Sequence, residues 1–581
     1  MCFALCLLLA ALIAMPLSAR AQEPPQELPQ EQQQAAQPMT LDRTLTALHG
    51  VVRNATTGEG LARVLVRVEG DANTGALTDG EGRFEIPNIP VGPQSVSVQK
   101  PGFLDRGPSP AGASQAAEQL VFAVPSGGHN VLVAAQMPDV EFTLEPTGAI
   151  RGQVELSTGD PGEGIPIALV QQTVQDGRAI WQQAGSAKTR SDGTFRFGGL
   201  ADGAYALFSQ PAMDTDLDGT PGGGGGQRRG YPTVYYPGAR EPSGAGRIRV
   251  ANGQETQANL TLTLEPFQTV TAAVVFPPGT AAGRTGMNLS ATVMDSAGHP
   301  LPYLAQYDEQ SHSMQVELPD GTYSLLVSSN PQTESRPGQG NLTAGVFAGS
   351  ADLTVAGRAV PGLRVALTAA RPSPVQVSVQ RNVASPIASG VIDVLVSQAD
   401  GWIDDSIVSA YAHGDLPGPL EAVYTKPGAY WARAHSQGGL CEASFTAGGA
   451  NLAREPVVIG ISGSAAPMEL TLRDDCASLE LSLPEAMASM TAGEETFFTV
   501  YVVPDFDSTA DVDPVTLRAS TGGSTTLNGL TPGSYHVYTF VGAVQLAYRS
   551  RDALAAAANR AQPVTLSPGA TGNLVVEAPG P

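Results

Sequence analysis

The sequence predicts an all-β protein, a tandem array of about five antiparallel β-sandwich domains behind a signal peptide and a disordered spacer. Three observations predict it. The 581 residues include 66 Gly and 46 Pro, with 15% charged and 6% aromatic residues, which suits short strands joined by many turns and not long helices. One short phrase recurs: IPVGPQSVSV, LADGAYALF, LPDGTYSLLV, KPGAYWARA and LTPGSYHVYTF place Gly92, Gly203, Gly321, Gly428 and Gly533 roughly 105–120 residues apart, a common domain length. Between those glycines lie runs of alternating apolar and polar residues, the signature of half-buried strands.

Taken in order, residues 1–21 form an apolar run ending in Ala19-Arg20-Ala21, a small-x-small cleavage signal, so the chain is expected to be exported and to begin near Gln22. No later stretch is long and apolar enough for a transmembrane segment after signal cleavage. Residues 22–44, rich in Pro and Gln, have little to bury and read as a disordered spacer. Five units follow, at 45–145, 146–265, 266–370, 371–473 and 474–581. Each opens on an alternating strand (HGVVRN, AIRGQVEL, QTVTAAVVF, PVQVSVQ, ASLELSLP), and a second strand comes next (ARVLVRVEG, IPIALVQQ, MNLSATVMD, IDVLVSQ, FFTVYVVP). A short strand then leads to the Gly turn. There glycine is expected to supply a backbone with φ > 0, and Tyr205, Tyr323, Tyr430 and Tyr535, two places on, to bury a ring while the hydroxyl finds a partner. Only 550–560, SRDALAAAANR, reads as a helix, with Ser550 or Asp552 as its cap.

The first unit carries GVVRNATTGEGLARVLVRVEG, TDGEGRFEIPNIPVG and VSVQKPGF; the second repeats them as GQVELSTGDPGEGIPIALVQ and TRSDGTFRFGGLADGAYAL. These two units resemble the carboxypeptidase regulatory-like domain of secreted bacterial proteins. The resemblance implies a small transthyretin-like sandwich of the prealbumin/Ig-like, carbohydrate-binding-like kind. Units three to five keep the turn and the strand rhythm but lose the DG-x-F signature. The resemblance implies no peptidase activity, because in the enzymes of that name catalysis sits in a separate domain.

Candidate chemistry is sparse. The seven histidines are scattered, with no H-E-x-x-H and no Glu three places after any of them, so a zinc peptidase is not expected. AHSQG, 434–438, approaches G-x-S-x-G, but its flanks read as strand–turn–strand, whereas a nucleophile elbow joins a strand to a helix. Asp214, Asp216 and Asp218 in DTDLDG open like a calcium loop, yet the twelfth position is Gly225 where a bidentate Glu belongs. A weak Ca²⁺ site and a solvated acidic loop both fit. No other cofactor is expected. Asp79 and Asp192 belong to ordinary Asp-Gly hairpin turns. Trp181, Tyr231, Tyr235 and Tyr236 are the candidates for stacking on a sugar ring; Trp402 and Trp431 read as packing residues. Cys441 and Cys476 are expected to form a disulfide in an oxidising compartment.

A net charge of −23 argues against nucleic-acid partners. The expected function is non-catalytic: an exported binding, adhesion or spacer protein of the cell envelope, periplasmic, surface-bound or secreted. Its partners would be extracellular polysaccharide or envelope proteins. Two alternatives stay open, a carbohydrate-binding protein using exposed aromatics of the second unit, and an accessory module of a peptidase or envelope transport system.

Overall fold

The computed structural model describes residues 44–577 apart from 70–73, 106, 108–120, 124–127, 215–227, 279–288, 330–331, 337–339, 345–346, 370–372, 384–390, 399–409, 416–418, 423–426, 437–438, 465 and 488–492. The expected signal peptide and spacer, the Gly-rich insertion, Trp402, Asp216 and Asp218 lie outside the described residues. Strands dominate throughout. The helical reading of 550–560 is met by an α-helix at Arg551–Ala556, capped by the Ser550 side chain, which accepts a hydrogen bond from the Ala553 amide, and a 3-10 turn at Ala558–Arg560. Among the described residues no helix is long and apolar enough to cross a membrane.

One pairing plan occurs five times. The opening strands are Leu45–Asn54, Gly148–Leu156, Glu265–Val275, Ser373–Gln380 and Ala477–Ser482. Each runs antiparallel to the strand that precedes its Gly turn and parallel to a strand closing the same unit. In the facing sheet the second strand pairs with the strand that follows the turn: Leu65–Val68 with Gly92–Gln99, Pro166–Gln175 with Gly203–Ser209, Leu289–Met294 with Gly321–Ser329, Val391–Gln398 with Gly428–Ser436, and Phe498–Pro504 with Gly533–Val541. The turn therefore carries the chain from one sheet to the other. Parallel closure is possible because a whole unit of chain lies between the two paired strands.

The alternation is realised as burial. Leu48 and Val52 of the first opening strand, and Leu479 and Leu481 of the fifth, are fully buried, each side chain contributing about 1.5–3 kcal/mol. Five separate clusters of such residues fill the five sandwiches. All five belong to one compact unit, Leu45–Pro581.

The turns work by a side-chain bond as much as by glycine. The Tyr205, Tyr323 and Tyr535 hydroxyls donate to the carbonyls of Ala201 (2.8 Å), Pro319 (3.1 Å) and Thr531 (2.6 Å), each four residues back. In the first sandwich Gln94 holds that place, and its amide donates to the Pro90 carbonyl at 3.1 Å, again four back. The expectation of φ > 0 holds at Gly92 (129°) and Gly203 (153°). At Gly321 and Gly533 glycine is required for another reason: a Cβ would lie 2.7 Å from the Tyr323 hydroxyl oxygen or 2.5 Å from the Phe506 ring.

A second shared device marks sandwiches one and two. The buried hydroxyls of Thr78 and Thr189 donate to the carbonyls of Leu61 and Gly162, both at 2.5 Å, and accept from the amides of Val64 and Ile165, both at 2.9 Å. Asp79 and Asp192 then cap the adjoining hairpin by accepting backbone amides two residues on.

Candidate functional site

The aromatic segment of the second sandwich, YPTVYYPGA, is placed by two short strands. Arg229–Tyr231 pairs with Ala212–Met213 on one side and with Glu265 and Pro266, at the start of the third sandwich, on the other. The Phe267 amide donates to the Arg228 carbonyl at 2.8 Å. Arg228 meets Glu317 at 3.1 Å, and Arg240 pairs with Glu265. Burial raises the pKa of Tyr303, in the third core, to about 12.

The expectation that Tyr235 serves as an exposed stacking surface is corrected here. Its ring has no solvent exposure and packs against Phe208, with centroids 5.2 Å apart. Trp181 is half-buried against that same cluster, and Tyr231 and Tyr236 are half-buried against the second core. Apolar area drives these rings inward, and the segment cements sandwich two to sandwich three.

Asp214 ends the described part of the acidic loop, its amide donating to the Arg229 carbonyl at 3.0 Å. Among the described residues no three His, Cys, Asp or Glu side chains come together as a metal site. Cys441 and Cys476 are bonded, with Cα atoms 5.8 Å apart across 35 residues. The bond joins Cys441–Ala447, a strand of the fourth sandwich, to the segment just before Ala477–Ser482, the opening strand of the fifth. Ser436 of AHSQG ends a strand, and its hydroxyl donates to the Leu440 carbonyl at 2.6 Å across the connection to Cys441–Ala447, a strand of the facing sheet. His49, His299 and His536 meet Asp139, Asp295 and Asp505 within their own sandwiches.

Polar clusters also lie between sandwiches, and sequence reading did not find them. The hairpin Pro166–Gln175/Arg178–Lys188 turns at Asp176 (φ 49°) and Gly177 (φ 70°), the two left-handed positions of a type I′ turn. Its tip sits on sandwiches four and five. A Cβ on Gly177 would lie 2.5 Å from the Tyr548 ring, so only glycine lets the backbone lie flat there. The Arg549 amide donates to the Gly177 carbonyl at 2.9 Å, and its guanidinium reaches the carbonyls of Asp176 and Ser508. Arg433 bridges Asp176 (2.7 Å) and Asp511 (3.0 Å), joining sandwiches two, four and five through one guanidinium.

Arg178 stacks 3.5 Å from the Trp431 ring centroid, an arrangement favoured by the ring quadrupole. Burial, then the neighbouring Arg549, lower the Arg178 pKa to about 10. Burial raises Asp176, opposed by Arg433. Beside this tip, buried Glu442 of sandwich four accepts the Thr509 amide at 2.9 and 3.0 Å and its hydroxyl at 2.5 Å. The VQDGRAI pattern around Asp176 was a readable hairpin signal, but nothing local reveals what the tip touches.

Sandwiches one and five also join. Gly493 and Glu494 add to the edge of His129–Val133, and Val544–Leu546 pairs with Val121–Ala123. The Glu495 amide donates to the Asn130 carbonyl at 2.7 Å.

Residues 47–124 match the carboxypeptidase regulatory-like domain. No curated protein matches the chain by sequence. Among solved structures, the minor pilin of Streptococcus agalactiae is 14% identical, with 38% of this chain and 97% of that one covered and a TM-score of 0.18. The major pilin subunit of Bacillus cereus is 9% identical over 74% of this chain and 98% of that one, with a TM-score of 0.12. A leucine-rich repeat protein of Bacteroides thetaiotaomicron is 18% identical over 38% of this chain and 26% of that one, with a TM-score of 0.17. At these scores the likeness does not extend to function.

Proposed function

We propose that this chain, whose residues 47–124 carry the carboxypeptidase regulatory-like domain, is an exported, non-catalytic binding protein of the cell envelope. The observation that carries the reading is the use made of its reactive-looking groups. Arg178, Arg433, Asp176, Asp511, Glu442 and Trp431 fasten one sandwich to another. A chain that spends such groups on internal joints presents several sandwiches as one surface. The spacer reading loses ground, because a first sandwich paired to the fifth adds little reach. The Cys441–Cys476 bond supports export, since disulfides persist in oxidising compartments. Envelope polysaccharide or protein is the proposed partner class.

The test probes the purified chain against arrayed polysaccharides and envelope proteins, with and without EDTA, alongside generic peptide, ester and glycoside substrates. Retention without turnover supports the reading, and EDTA-sensitive retention would add Ca²⁺ at the Asp214 loop. Turnover of any substrate class that is lost in Glu442→Gln or Arg433→Ala overturns it.

A further inference from the structure

His129 stands at the contact between the first and fifth sandwiches and is 1% exposed. Its Nε2 is 2.8 Å from Asp105 of its own sandwich, and its Nδ1 is 2.5 Å from Glu494 of the fifth. Asp105 is oriented from behind by the Gly107 amide at 2.9 Å. The Phe142 ring, 4.5 Å away by centroids, closes the apolar side of the imidazole. The neighbouring charged groups are acidic as well: Glu495 beside Asn130, and Glu69 beside Gly128. An imidazole with a carboxylate on each nitrogen satisfies both only as the doubly protonated cation, since a neutral ring has one N–H to donate.

We propose that this bracket is a proton-operated clasp: the imidazolium of His129 holds Glu494, and loss of its proton releases the Gly493–Glu494 strand from the edge of the first sandwich. Burial works against the charge, but the hydrogen bonds His129 donates to Asp105 and Glu494 outweigh it and raise its pKa to about 9. Asp105 travels with His129 when the contact opens, so Glu494 is the partner that is lost. Opening removes the Glu494 bonds that raise the pKa together with part of the burial that lowers it, and the imidazole returns towards its ordinary value of 6.5. The sign follows from linkage: the clasp is fully closed below the opened-state pKa and weakens as pH rises towards about 9. The two-residue strand Gly493–Glu494 is too short to hold the contact alone, so the ion bracket decides whether it persists.

The experiment is amide hydrogen exchange at residues 493–495 of the full chain, taken relative to the strand Phe498–Pro504 so that intrinsic pH chemistry cancels. Between about pH 6 and about pH 9.5 the relative exchange should rise at least about tenfold, one pKa unit of coupling. Glu494→Gln should exchange faster at about pH 6 and lose the pH dependence. Relative exchange that stays flat over this range, or a Glu494→Gln chain as protected and as pH-dependent as wild type, overturns the proposal. Glu494 lies outside the first core, so the variant tests the clasp without unfolding the sandwich that holds His129; exchange at Leu45–Asn54 checks that it stays folded.

Discussion

Two turns of the molecule invite comparison. The Gly–Tyr turn at Gly533 and the Asp176–Gly177 tip both need glycine where an aromatic ring lies close, Phe506 in one case and Tyr548 in the other. The first ring belongs to the same sandwich, and the turn occurs in five versions. The second belongs to a sandwich more than 300 residues away, and its turn is not part of the repeated plan. The same local chemistry thus does two jobs. Repeated turns close a core on itself, and single-copy turns fasten one finished core to another.

Variants that hit the repeated turns should unfold a sandwich, whereas variants at the unique tip should loosen a joint and leave the sandwiches folded. The largest effect is expected for Tyr535→Ala, which empties a buried ring site of the fifth core and should cost about 3–5 kcal/mol, read by denaturant unfolding of that sandwich. Cys441→Ala with Cys476→Ala comes next. Freeing a 35-residue loop should cost about 2–4 kcal/mol, with the loss centred on sandwiches four and five; a melt that changes elsewhere would contradict the placement of the joint. Arg433→Ala leaves Asp176 and Asp511 facing each other, and about 1–3 kcal/mol of joint stability should be lost. It should be seen as proteolysis at the 176–178 tip while the core strands stay protected from exchange. The smallest effect, about 0.5–1.5 kcal/mol, is expected for Tyr535→Phe and Gln94→Ala, each removing one hydrogen bond to a carbonyl four residues back.

What was legible in the sequence follows the same division. Strand alternation, the Gly turn and the Ser550 cap are local patterns, so they can be read from neighbours in the chain. Gln94 keeps the bond of its tyrosine counterparts although IPVGPQSVSV lacks the tyrosine, because an amide can donate where a phenol does. Tyr235, expected as an exposed stacking ring, is buried against Phe208, a partner set by tertiary packing and not by neighbours in the chain. The joints were not legible at all. Arg433 with Asp176, and His129 with Glu494, are separated by 257 and 365 residues, with no periodicity to flag the pairing.

The most direct measurement is a cysteine pair across the joint between the first and last sandwiches. Asn130→Cys with Glu495→Cys replaces two residues already linked, backbone amide to carbonyl at 2.7 Å. Directly apposed strand residues lie within the Cα range a disulfide tolerates. Mild oxidation should give an intramolecular bond between these two positions in the monomer, alongside the native Cys441–Cys476 bond. Free thiols after oxidation, or cross-links only between separate molecules, would contradict the account of five sandwiches fastened by single-copy joints.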